Sequence, residues 1–218
     1  MNSIVIIIYI VLIFITSLDS FGQAGTELQS YINQNQADSS TRIYTDNKQI
    51  IPCCEVPALM ALSHYPELKN IRIVFIEKSI KTTAACRPKW TSLFKRKENR
   101  VYHIYINNNP GKIKGAMFNE IPSNAQIGLI GHELGHIVDY SHRGILGIIS
   151  IGFNYLFIQS RARMERRVDT ITIAHHLGWQ LYEFDDFVMN CSTVSNAYKD
   201  YKRKVYYKPE QLLQLMMK

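Results

Sequence analysis

The chain has 218 residues, 46% of them hydrophobic, and a net charge of +7. That is enough apolar material for one well-formed core and too little for two. The basic excess, gathered in Lys95 to Lys97, Arg161 to Arg167 and Lys199 to Lys208, reads as a solvated surface. No nucleic-acid motif accompanies it, so nucleic acid is not an expected partner.

In chain order, Ile4 to Ile15 is almost wholly apolar and is followed by Thr16, Ser17 and the small set Ser20-Phe21-Gly22. This predicts a signal peptide over residues 1–22, with small residues at the −3 and −1 positions of a cleavage site after Gly22. The run lacks a preceding Lys or Arg, which leaves an uncleaved membrane anchor as the alternative, although it is short for a span of about 20 residues. Export to the periplasm or the medium is therefore expected, with residues 23–218 as one domain and 23–50 as a flexible arm or pro-segment. Removing a leader that carries only Asp19 brings the net charge to +8. Cys53, Cys54, Cys86 and Cys191 suit an exported chain, and whether they are bridged or free stays open.

Pro57 to His64 predicts a short helix, with proline near its start. Ile71 to Ile76 and Val101 to Ile106 read as strands, the second ended by the turn Asn107-Asn108-Asn109-Pro110-Gly111. Thr82 to Asn99 between them reads as a basic loop. Ser123 and Gln126 form a capping-box pattern that opens a helix reaching about Tyr140. At about 100° per residue, Ile127, Ile130, Leu134, Ile137 and Val138 fall opposite His132 and His136. Gly128, Gly131 and Gly135 line a narrow band between those faces. Each costs the helix about 1 kcal/mol against alanine, so another element is expected to pack very close.

The helix carries His132-Glu133-Leu134-Gly135-His136. Histidines four apart stack on one face and can share a metal ion, with Glu133 about 100° round the helix. Gly144 to Ile158 is apolar apart from Ser150 and Asn154. Too short to span a bilayer, it is expected as a buried hairpin or a flap over a cleft. If exposed, it would make a peripheral membrane contact beside Arg161 and Arg163. A second long helix is expected from Arg161 to Leu177 with Gly178 as its C-terminal cap, then short helices over Phe184 to Met189, Ser195 to Tyr206 and Pro209 to Met217.

In the second long helix Glu165 and Asp169 lie four apart on one face. His-Glu-x-x-His followed by this Glu-x-x-x-Asp resembles the gluzincin-type zinc metallopeptidases, in their small single-domain form. The resemblance implies a compact α+β, zincin-like fold. In it a small sheet with an edge strand over the cleft, here Val101 to Ile106, precedes the metal helix and a second ligand-bearing helix. It further implies Zn2+ held by His132, His136 and Glu165, and Glu133 as general base in hydrolysis of a peptide or protein substrate. Asp169 would hydrogen-bond a ligating histidine, and Asp139, near the histidine face, is a second candidate for that role. His142 is the rival third ligand, at metzincin spacing, but Asp139 stands where that motif has its turning glycine. A non-catalytic, metal-stabilised binding domain is the alternative class, and the intact Glu133 argues against it. His64, His103, His175 and His176 are not selected; His176 lies about 16 Å along the helix from Glu165.

Overall fold

Alternating burial along one strand shows where the core lies. In Val101–Ile106 the side chains of Tyr102, Ile104 and Ile106 are buried, while those of Val101, His103 and Tyr105 are half-buried. A computed structural model describes residues 46–111 and 113–217. The leader expected at 1–22 and the arm as far as residue 45 lie outside the described residues. The architecture is α+β. Strands β1 (Lys48–Gln49), β2 (Arg72–Glu77), β3 (Ala84–Pro88) and β4 (Val101–Ile106) form one sheet in the order β1-β2-β4-β3. β1, β2 and β4 run parallel, and β3 runs antiparallel to β4 with Cys86 opposite Ile104.

Two expectations are corrected here. Val101 to Ile106 lies inside the sheet, and the edge strand is β3, within the stretch read as a loop. β3 is Ala-Ala-Cys-Arg-Pro, without a β-branched or aromatic residue, so its extended form comes from pairing with β4 and not from propensity. Pro88 at its end suits an edge strand, because an edge can spare the missing N–H.

The helices are α1 (Glu55–Ser63), α2 (Ser123–Ser141), α3 (Ile145–Asn154), α4 (Ile158–Ala174), α5 (Gly178–Asp186), α6 (Asn196–Val205) and α7 (Pro209–Met216). α2 is the hub, packed against α1, α4, α5 and β3. It is buried nearly all round, including His132, Glu133 and His136. Its start differs from the expected capping box. Pro122 is the N-cap, and the Gln126 amide donates to the carbonyls of Phe118 (3.1 Å) and Ile121 (2.9 Å). The glycine band is where the neighbours come close. A Cβ on Gly128 would lie 2.2 Å from the Gln180 carbonyl carbon, one on Gly131 2.6 Å from Leu177 Cδ1, and one on Gly135 3.0 Å from Val168 Cγ1.

α4 starts three residues earlier than expected, and the left-handed residue beyond its end is His176 (φ 60°), not Gly178. Gly178 instead opens α5, where a Cβ would meet Met216 Sδ at 2.4 Å; its glycine makes room for α7. The Phe184 to Met189 helix is also reassigned: α5 ends at Asp186 and continues as one wide π turn, Phe187–Cys191. The apolar stretch from Gly144 is not a buried hairpin. It forms α3 and a following turn, with Ile148 and Ile151 inward and Leu146, Phe153, Leu156 and Phe157 exposed. No helix among the described residues is long and apolar enough to cross a membrane. The four cysteines are free, Cys54 and Cys86 buried, Cys53 and Cys191 exposed.

Candidate metal centre

The four-residue spacing on α2 brings the rings of His132 and His136 edge to face, with centroids 4.9 Å apart. α4 crosses α2 so that Glu165 meets them. Its Oε2 lies 3.1 Å from His132 Nε2 and 3.3 Å from His136 Nε2. One ligand atom from each of the three residues lies within 4.8 Å of the others. Among the described residues, His132, His136 and Glu165 thus form a cluster able to hold one metal ion. All three side chains are buried.

The surrounding groups fix the orientation of these donors. His132 Nδ1–H donates to Asp169 Oδ1 at 2.9 Å, which turns Nε2 toward Glu165. The other Asp169 oxygen accepts the Tyr207 backbone N–H at 3.4 Å. The second Glu165 oxygen accepts the Tyr155 hydroxyl at 2.6 Å. Burial favours the neutral form of each ionisable group, and the neighbours decide the outcome. Burial pushes the Glu165 carboxyl up, but His136 and His132 outweigh it and hold it well below the usual range. Burial pushes the His132 imidazole down, but Asp169 and Glu165 raise it well above its ordinary value. Two carboxylates therefore demand a positive charge at this point. A divalent cation meets that demand when both imidazoles present lone pairs, and two nitrogens with one carboxylate oxygen suit a borderline metal.

Glu133 sits beside the triad without belonging to it. Burial raises its carboxyl above the ordinary range, partly offset by His136 and His132 and by a hydrogen bond from the Cys86 backbone of β3. A small cavity of about 40 Å³ touches His132, Glu133 and Ala84, space on the scale of a water molecule or two. Larger cavities of about 300 and 500 Å³ around Arg72, Lys95 and Val101 share no lining residue with the triad.

Asp139 does not face the histidine rings. Its carboxylate takes Arg143 Nε (3.0 Å) and Nη2 (2.9 Å), together with Arg167 Nη1 (3.1 Å). His142 caps α2 and is exposed, outside the triad, its carbonyl accepting from Lys97 at 2.9 Å. The chain stays helical through Asp139, so it makes no turn that would bring His142 back. The unselected histidines serve packing. His64 Nδ1–H donates to the His175 carbonyl (2.9 Å), His175 stacks on Tyr65 and pairs with Glu67, and His103 lies against the Tyr105 hydroxyl.

Sequence reasoning missed Tyr155, which reaches Glu165 from the turn after α3. It also missed a buried ion pair beside the cavity, Lys202 with Asp185, whose ammonium lies 4.3 Å over the Tyr206 ring. Tyr198, Lys202 and Val205 follow helical spacing, so a lysine on the buried stripe of α6 was a usable signal. No family model, curated protein or solved structure matches the chain.

Proposed function

We propose that the protein is a zinc-dependent peptidase of zincin-like architecture, with His132, His136 and Glu165 as the metal ligands. The observation that supports this best is the convergence of two histidines and one carboxylate beside Glu133, a second buried acid left out of the ligand set. A purely structural zinc site more often has four protein ligands and no use for such a neighbour. When bound, zinc supplies a Lewis acid and makes a bound water acidic enough to lose a proton near neutral pH. The residues supply the rest. Asp169 holds His132 in the tautomer that presents Nε2, and Glu165 brings the negative charge that keeps a cation in a buried place. Glu133, its proton affinity raised by burial, accepts a proton from the attacking water and returns it to the leaving amine. The outer edge of β3, whose Cys86 backbone bonds Glu133, would lie alongside an extended peptide in the site.

Metal analysis of the full chain tests the ligand set. We expect one zinc per chain, lost in Glu165→Ala and kept in His142→Ala. Glu133→Gln should keep the zinc and lose hydrolysis of a peptide library. A Glu133→Gln variant as active as wild type, or a wild-type chain that takes up no zinc on reconstitution, would overturn the reading.

A further inference from the structure

We infer that the outer face of α3 and the turn after it is a docking surface for an anionic lipid bilayer. Ten large hydrophobic side chains are exposed among the described residues, and six of them lie between Leu146 and Ile158. Leu146, Ile149 and Phe153 fall within about 60° of one another on the helix, so α3 presents one apolar stripe outward. Leu156, Phe157 and Ile158 extend it round the turn. Ile148 and Ile151, on the opposite side, are anchored in the core. The helix is therefore apolar on both faces, one covered by the protein and the other open.

The charges bracketing this surface select its partner. No Asp, Glu, Lys, Arg or His occurs from Gly144 to Ser160. Arg143 precedes the stretch, and Arg161, Arg163, Arg166 and Arg167 follow it. Asp139 is shared between Arg143 and Arg167, while Arg161, Arg163 and Arg166 have no carboxylate partner among the described residues. An apolar strip followed by three arginines without a carboxylate partner matches the layering of a bilayer, acyl chains behind anionic headgroups. Ten helical residues extend only about 15 Å, so the element lies in the interface and does not span it. Tyr155, in the middle of the lipid-facing stretch, donates to Glu165, so docking would bring the metal cluster directly under the membrane surface. Exposure and charge alone create this surface, whether or not the cluster is catalytic.

The test uses the full chain with vesicles of phosphatidylcholine, with and without phosphatidylglycerol. Wild type should sediment with the mixed vesicles and much less with the neutral ones. The indole introduced by Phe153→Trp should be quenched by brominated acyl chains, whereas the native Trp90 and Trp179 should not. Leu156→Glu with Phe157→Glu, at exposed positions that leave the fold and metal content unchanged, should lower the partition coefficient by at least about tenfold. Binding that survives the double substitution, or an unquenched indole in Phe153→Trp, would overturn the inference and move attachment elsewhere in the chain. So would a lipid-free dimer of Phe153→Trp in which the new indole is already shielded, since the partner would then be a second copy.

Discussion

A methyl group added at Gly128 gives the sharpest test of how α2 is held. The new carbon would lie 2.2 Å from both the carbonyl carbon and oxygen of Gln180, and 2.4 Å from the Leu181 nitrogen. Carbon contacts settle at about 3.5–4.0 Å, so α5 would have to retreat by more than about 1 Å. The obstacle is backbone, with no side chain to rotate away, which puts the overpacking cost at or above the top of the usual range of about 1–3 kcal/mol. Alanine returns about 1 kcal/mol through helix propensity. The net loss for Gly128→Ala is then about 2–4 kcal/mol, a fall in Tm of about 5–15 °C for a domain of this size. Gly152→Ala on α3 is the control, since its new methyl has no neighbour within 4 Å. That variant should gain up to about 1 kcal/mol. Thermal and urea unfolding followed by circular dichroism measure both. If Gly128→Ala matched wild type, or both variants moved together, close approach would not explain the glycine band.

Asp169→Asn removes the carboxylate that orients His132 and should weaken metal binding by about 10–100-fold in chelator competition, while the fold persists. Asp139 is pushed up by burial, but its bonds from Arg143 and Arg167 outweigh that and hold it below the ordinary 3.8. Its contribution is therefore complete above that value and lost as the pH falls through the lower folded value. Asp139→Asn should cost about 1 kcal/mol at pH 7, a figure discounted for the exposure of Arg167, and the gap in urea midpoints should close in acid. Lys202→Met strands Asp185, whose carboxyl burial already pushes up to about 6 despite the lysine, and should cost about 3–5 kcal/mol in unfolding experiments. Lys202→Met with Asp185→Leu should recover most of that loss; failure to do so would mean the pair does more than neutralise itself.

The parts of the fold that could be read in advance were those whose signal is local and periodic. α2 carried a 3.6-residue apolar repeat, a glycine band and the histidine pair, and β4 is a run of mostly β-branched and aromatic residues closed by the turn Asn107-Asn108-Asn109-Pro110-Gly111. β3 could not be read because Ala84-Ala85-Cys86 has no intrinsic bias to extend; a strand partner decides its shape. Gly178 misled because glycine serves two purposes. It can permit a left-handed backbone or a close contact, and only the position of Met216 distinguishes them. Asp139 misled differently, since the angular face shared with His136 is also reached by Arg143 four residues on, an ion pair visible in the sequence.

The apolar stretch after α2 marks the limit of such reading. Periodicity can place Ile148 and Ile151 together and Leu146 and Phe153 opposite them, but it cannot say which stripe meets protein. The core decides that by what remains uncovered, and here it takes in Ile148 and Ile151 and leaves Leu146 and Phe153 outside. The same packing sets Tyr155 against Glu165, ten residues apart in sequence and joined by a turn. The segment with the apolar outer face thus also closes over Glu165 of the candidate metal cluster. Substitutions at Leu146 or Phe153 should therefore leave metal affinity alone, whereas Tyr155→Phe should alter it by releasing one oxygen of Glu165. Metal titration of Phe153→Ser and Tyr155→Phe separates the two roles; equal effects from both would show that the outer stripe and the ligand contact are one structural unit.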